Sequence, residues 1–418
     1  MSSPPSPKRP RPSPSLEIPS PSLETPSPSL ETPPPSLETW LKSHGSYIHP
    51  SLSLLPSPLG STGLFTSTPL PPSTKIITVP SSCIITENVA RQSDIGKACL
   101  AQNPNCDSKF ILQAFVALGI TVPSSTNYEP YFSSLPKTDP TPYSWSPSHL
   151  SLLESTNLLA SLLLLNSSQK QQYTTSFPTS YKSLINLPQF ELSCSLIRSR
   201  SFPGHLINVT GSILLPYLDS ANHEHACPVT WSCSEKEVTL LNEGKVVGEV
   251  FNNYGGKGGE QMLMCYGFCG EEMELETYGL KVGVRGEGGV RKMGPYYVRR
   301  RGEGQFPKEL WKVLDGGGEE EEEEEEEEGV SAEAVEMLLE MLEKRLEPFE
   351  ETRERDDEAR AKGSGAGEPE VLFASRYRVG QRLVLEEAVE TLKEMMGTVD
   401  EYVDDVDDVD DKVSENKV

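Results

Sequence analysis

Two stretches of short apolar segments flank a long block with helical spacing, and this interrupted order restricts the folds open to the chain. Leu64-Phe65 and Lys75-Ile76-Ile77-Thr78-Val79-Pro80 read as strands between Gly, Ser and Pro turns. Strands return at Ser212-Ile213-Leu214-Leu215, Glu237-Val238-Thr239-Leu240 and Val246-Val247-Gly248-Glu249-Val250-Phe251. Between them, Lys109–Val116 is helical in pattern, and Ser146-Pro147 supplies a cap and a first-turn proline. Leu150, Leu153, Asn157 and Leu158 then follow helical spacing, which predicts one helix starting at Ser146. Leu158–Leu165 is too short to span a bilayer and reads as a buried helix. A β-rich core split by a helical insert gives an α+β architecture.

The chain has 418 residues, more than one ordinary domain, and its ends differ in composition from its middle. Residues 1–39 repeat a Pro-Ser-Leu-Glu-Thr phrase, as at Pro21–Thr25, Pro28–Thr32 and Pro35–Thr39. Prolines at this density block helix and one Leu per repeat cannot build a core, so a disordered arm is expected. The core is expected over 40–86 and 196–278, with the helical insert over 87–195 and a helical C-terminal domain over 279–400. Within that last part, the ten glutamates Glu319–Glu328 repel one another and read as a solvated loop over 316–330. After Ser331, Val335, Leu338, Leu339, Leu342 and Leu346 form a stripe that Pro348 is expected to end. A second helix is expected after Tyr377-Arg378-Val379-Gly380-Gln381, and residues 401–418 form an acidic tail too charged to fold alone.

The formal net charge of −25 argues against direct nucleic-acid binding, which needs clustered Lys and Arg. No segment reads as a membrane span or a secretory leader, so the eight cysteines are expected as reduced thiols in cytoplasm or nucleus. Lys8-Arg9-Pro10-Arg11 resembles a short nuclear-import patch. His223, His225, Cys227, Cys233, Cys265 and Cys269 cluster in sequence but lack the paired short spacings of a zinc site, and no metal is expected. Gly255–Gly259 lacks the ending of a phosphate loop.

The segments that carry chemistry place polar groups at the ends of apolar strands. They are Arg198-Ser199-Arg200-Ser201-Phe202, then Leu215-Pro216 to Asp219-Ser220-Ala221-Asn222-His223, then Asn252-Asn253-Tyr254-Gly255, then Tyr266-Gly267-Phe268. In this order they resemble the Rubisco large-subunit methyltransferase class of SET proteins, and fungal members share the phrase around Phe251–Gly255. Trp145–Leu158 is similar to the helical insert of that class. Phe306–Trp311 and Tyr377–Gln381 resemble pieces of its helical substrate-binding domain.

The resemblance implies transfer of a methyl group from S-adenosyl-L-methionine to a lysine amine of a protein substrate, and the acidic charge suits a basic target such as a ribosomal protein, a translation factor or a histone. It implies Tyr254 as the catalytic tyrosine that orients the amine beside the methyl. Asn222 and His223 match the pair that holds the cofactor, Arg200 a position near its carboxylate, and Asp219 stands upstream in matching spacing. Tyr266 and Phe268 match walls of the channel or the adenine site, and Thr62 and Gly63 lie in the segment where backbone approaches the cofactor. Two positions depart from the pattern: Ser61 stands at the first glycine of that segment, and Gly259 stands where an Asn is usual. Gly259 motivates one competing reading, a SET-fold scaffold without catalysis; transfer to histidine is another.

Overall fold

The computed structural model describes residues 36–57, 62–286, 289–315, 330–363 and 368–410. Its first helix, α1 (Leu37–Ser43), starts inside the stretch expected as arm. Ser36 caps it by accepting from the Thr39 amide, and Leu37, Trp40 and Leu41 are buried. The last copy of the proline-rich phrase is thus followed by Trp40, which gives this copy an apolar stripe at i, i+3 and i+4 that burial can stabilise.

Five strands follow: β1 (Tyr47–Ile48), β2 (Leu52–Pro56), β3 (Thr62–Leu70), β4 (Lys75–Pro80) and β5 (Ile85–Thr86). The insert then supplies α2 (Glu87–Gln92), α3 (Asp94–Gln102), α4 (Ser108–Thr121), α5 (Glu129–Ser134), α6 (Pro147–Leu150), α7 (Asn157–Ser176) and α8 (Leu187–Arg200). The chain returns to strands in β6 (Ser201–Pro203), β7 (Ser212–Leu214), β8 (Val229–Cys233), β9 (Glu237–Asn242) and β10 (Val246–Val250). Segments from both sides of the insert pair antiparallel in three small sheets, ordered β1-β4-β9-β8, β10-β3-β2 and β5-β7-β6. One apolar core runs through sheets and insert, with Leu64, Ile76, Ile77, Val79, Leu112, Phe190, Leu214, Leu240 and Val250 among its buried members. Each such side chain contributes roughly 1.5–3 kcal/mol by leaving water.

The helix predicted from Ser146 is two. Ser146 caps α6 as expected, but Ser155 adopts φ 63° and Thr156 starts α7 with a fresh cap on the Leu159 amide. A left-handed residue cannot continue a right-handed helix, so the shared apolar spacing is carried by two separate pieces. Within α7 only one stripe is covered: Leu158 and Leu162 are buried, whereas Leu163 and Leu164 are 60% and 68% exposed.

Helix α9 (Gly259–Tyr266) lies within the stretch expected as core, and the C-terminal part follows with a β-hairpin, β11 (Thr277–Gly286) with β12 (Gly289–Arg299), so it is not purely helical. Helices α10 (Lys308–Leu314), α11 (Ala332–Glu350), α12 (Arg353–Lys362) and α13 (Pro369–Asp410) follow. Leu280, Val282, Val298, Leu338, Leu342, Leu385 and Leu392 share a second core there. Pro348 does not end α11, which runs to Glu350; a proline in the last turn removes only one hydrogen bond. Tyr377–Gln381 lies inside α13 rather than before it, because Pro369 already provides the start. The same helix continues through Asp410, into the stretch expected as tail. Extending an existing helix costs far less than nucleating one. The arm up to residue 35, the polyglutamate run and residues 411–418 lie outside the described residues.

A third apolar cluster joins the parts: Trp145, Leu153, Leu158, Leu162, Leu263, Cys269, Ala374 and Tyr377. The Tyr377 hydroxyl accepts from the Leu158 amide at 3.3 Å and donates to Glu260 Oε2 at 3.1 Å, tying α7, α9 and α13 at one point. Arg378 is equally central. Its guanidinium pairs with buried Asp356 at 2.8 Å and donates to the carbonyls of Glu154 and Pro348.

Candidate functional site

Two segments that leave strand ends meet side by side. After β7 the chain turns through Tyr217, held at φ 73°, and Leu218–Ser220 to reach Asn222 and His223; after β10 it passes directly to Asn252 and Tyr254. His223 and Asn252 form an isolated parallel bridge. The Asn252 amide donates to Asn222 O at 2.8 Å and the Glu224 amide to Asn252 O at 3.1 Å. All other strand pairs of the described residues are antiparallel, so this crossing is a local device that brings the two motifs into register.

Tyr254 is fixed at both ends. Its phenol donates to Ala221 O at 2.9 Å and its amide donates to His223 Nδ1 at 3.1 Å. An Nδ1 that accepts leaves the proton on Nε2 and makes His223 neutral, and burial lowers its pKa in the same direction. The rings of His223 and Tyr254 stack at 5.0 Å, and those of Tyr254 and Tyr266 at 4.5 Å. Phe268 stands 6.5 Å from His223 and 6.4 Å from Tyr266, closing a wall of four rings. Burial pushes the Tyr266 phenol up to about 12 and raises Tyr254 too, against the nearby Arg200 charge. Both phenols are therefore neutral near pH 7 and can orient a partner but not act as phenolate bases.

Arg200, the last residue of α8, sits in a buried network. It donates to Asp219 O at 3.1 Å and lies 3.5 Å from Asp219 Oδ2, which also accepts from Tyr131 at 2.7 Å. Burial raises the Asp219 carboxyl, while Arg200 and Tyr131 hold it down. The Asp219 side chain is 1% exposed, and its Oδ1 has no hydrogen-bond partner among the described residues. Tyr131 comes from the insert, and nothing in its local sequence marks it.

Gly63 brings β3 against the same place. A Cβ there would run into Glu249 Oε1 and would lie 3.0 Å from Asn222 Nδ2, so a side chain at 63 would have to displace the Glu249 carboxylate from Asn222. Asn222 Nδ2 donates to Glu249 Oε1 at 2.7 Å. Thr62 is next to Gly63 at the start of β3 and is exposed; Ser61 lies outside the described residues. The structure thus gathers Gly63, Asn222, His223, Tyr254, Tyr266 and Phe268, with the Arg200–Asp219 pair within electrostatic range of Tyr254. Sequence reasoning passes over Glu249, although a lone carboxylate in an otherwise apolar strand leading into a motif is a readable signal.

The Gly259 departure has a physical explanation. The Gly259 amide, in the first turn of α9, donates to Glu276 Oε1 at 2.6 Å. A Cβ at 259 would stand 2.6 Å from that oxygen and 2.8 Å from Cys269 Sγ. Glu276 is buried and is also held by Gln381 Nε2 at 3.2 Å. The space of the missing side chain is filled by a carboxylate from elsewhere in the chain. Among the described residues no group of three His, Cys, Asp or Glu side chains is placed to hold a metal ion.

No family model matches the sequence. Curated relatives do. Ribosomal lysine N-methyltransferase set10 of Schizosaccharomyces pombe is 31% identical over 226 residues, which are 51% of this chain and 40% of that one. Ribosomal lysine N-methyltransferase 1 of Saccharomyces cerevisiae is 28% identical over 203 residues, 37% of this chain and 34% of that one. Protein-lysine N-methyltransferase EFM1 of the same yeast is 24% identical, over 55% of this chain and 48% of that one. The chain thus spans less than half the length of these relatives. Among solved structures, the SET domain of LSMT bound to lysine and AdoHcy superposes with a TM-score of 0.71 at 18% identity, covering 86% of this chain and 90% of that one. Rubisco LSMT bound to AdoMet gives 0.68 at 18%, over 87% and 92%. The chain thus has the fold of the SET domain of Rubisco LSMT, and part of its sequence is similar to the fungal ribosomal lysine N-methyltransferases.

Proposed function

We propose that the protein transfers a methyl group from S-adenosyl-L-methionine to the side-chain amine of a lysine in a protein substrate. The observation that carries this reading is the stack of His223, Tyr254 and Tyr266, locked to the Asn222 segment through the parallel bridge. The residues suit such a cofactor: Gly63 lets β3 lie against the Asn222–Glu249 pair, whose amide and carboxylate offer polar groups next to His223. When bound, S-adenosylmethionine supplies an electrophilic methyl group on a sulfonium.

The chain's own task is to present a neutral amine. A free lysine has a pKa near 10.4, so deprotonation at pH 7 costs about 4–5 kcal/mol. A half-buried aromatic wall of Tyr254, Tyr266 and Phe268 disfavours the ammonium and removes part of that cost. Tyr254 contributes by orientation, since its hydroxyl is committed as a donor to Ala221 O and leaves its lone pairs toward an incoming N–H.

For the substrate we propose a basic ribosomal protein, as the names of set10 and of the yeast ribosomal enzyme suggest for those relatives. The net charge of −25 suits a basic partner by speeding encounter. Such a substrate is met in the cytoplasm or the nucleus, where we place the protein. The scaffold alternative loses its motive, because Glu276 occupies the space beside Gly259 and keeps α9 anchored. Incubation of the protein with labelled S-adenosylmethionine and ribosomal proteins is the test, with Tyr254→Phe and Asn222→Ala beside the wild type. Labelling of a lysine by the wild type alone supports the assignment; equal labelling by all three removes it.

A further inference from the structure

Glu249 is half-buried on β10 and both its oxygens are engaged by neutral donors, Asn222 Nδ2 at 2.7 Å and Ser57 Oγ at 3.0 Å. Among the described residues no lysine or arginine pairs with it, whereas the guanidinium of Arg200 is already balanced by Asp219. An ionised carboxylate only accepts hydrogen bonds, so the Asn222 amide must turn its NH2 group to Glu249. Its Oδ1 is then turned away from Glu249 as a free acceptor, beside the second N–H of the same amide. Glu249 also belongs to the charged set around Tyr254, where its field raises the phenol. A carboxylate and an amide oxygen set side by side form a receptor that favours a cationic N–H donor, since charge-assisted hydrogen bonds are roughly twice as strong as neutral ones.

We propose that Glu249 is a positioning and binding residue of the cofactor subsite. It holds the Asn222 carboxamide by its nitrogen, leaves Oδ1 as acceptor, and supplies the negative charge that meets the α-ammonium of the bound ligand. This inference rests on the methyl-transfer reading and extends it to a residue outside the recognised motifs.

Calorimetric titration of the full chain with S-adenosylhomocysteine and with 5′-methylthioadenosine separates the two. The second ligand keeps the nucleoside and thioether but lacks the amino-acid end. Glu249→Leu is expected to weaken S-adenosylhomocysteine roughly 10- to 100-fold, the range for a lost hydrogen bond to a charged group, and to leave 5′-methylthioadenosine within about twofold. Glu249→Gln, which keeps an acceptor for Asn222 but no charge, is expected between the wild type and Glu249→Leu. Unchanged affinity for S-adenosylhomocysteine in Glu249→Leu, or equal loss of both ligands, overturns the role of Glu249. A wild type that binds neither ligand overturns the methyl-transfer reading itself.

Discussion

The Gly259 amide donates to Glu276 Oε1 at 2.6 Å, and the same carboxylate accepts from Gln381 Nε2 at 3.2 Å. One side chain therefore serves both as cap for the helix that carries Tyr266 and as its link to α13. Restoring a side chain at 259 should be costly for that reason. Gly259→Asn is expected to lower stability by about 1–3 kcal/mol through overpacking. Combining it with Glu276→Ala should recover part of the loss. Denaturant unfolding of the four proteins in a double-mutant cycle measures the coupling, and simple additivity would show that the two positions do not compete for space.

Burial raises the Glu276 carboxyl from an ordinary 4.5 to about 7, only partly offset by the Gly259 and Gln381 hydrogen bonds. The folded protein thus holds this proton to higher pH than the unfolded chain. Its contribution to stability is complete below pH 4.5, declines as pH rises, and is gone above about 7. The stability gap between wild type and Glu276→Gln should shift in favour of the Gln variant by about 1–3 kcal/mol from pH 5 to pH 8. Urea unfolding across that range is the measurement, and a gap independent of pH would contradict the titration.

Tyr254→Phe removes the hydroxyl that donates to Ala221 O but keeps the ring stacked between His223 and Tyr266. Turnover should fall about 10²-fold through lost orientation of the amine. Affinity for S-adenosylhomocysteine should change little. Single-turnover methylation alongside calorimetry separates these effects.

The network of Arg200, Asp219 and Tyr131 predicts unequal costs. Tyr131→Phe removes one neutral donor to Asp219 and should cost about 1–3 kcal/mol. Arg200→Ala strands a buried carboxylate and should cost about 3–5 kcal/mol. Thermal unfolding of both variants orders them, and a milder Arg200→Ala would show that the pair is not what balances Asp219.

Much of the fold was readable where pattern is local. The run Lys75–Pro80 is a central strand, the Tyr254 hydroxyl reaches Ala221 O next to Asn222, Ser146 caps a helix, and a helix follows Ser331. What escaped the sequence depends on distant partners. Tyr131 finds Asp219 across 88 residues and Glu276 finds Gln381 across 105, and neither pairing leaves a periodic trace. The break at Ser155 was hidden because apolar spacing persists through it, while its left-handed φ leaves no mark in that spacing. The extra turns of α13 reflect helix growth from a buried segment, which composition alone does not register.

The three-way junction at Tyr377 carries a mechanical consequence. Helix α9 is gripped at its first turn by Glu276 and by Tyr377 through Glu260, and it delivers Tyr266 at its other end. Tyr377 of α13 also receives the Leu158 amide of α7, so α9 is fixed between two helices from different parts of the chain. The position of the Tyr266 ring, and with it one face of the aromatic wall, is therefore tied to contacts made by α13 as well as to the strands that deliver Tyr254.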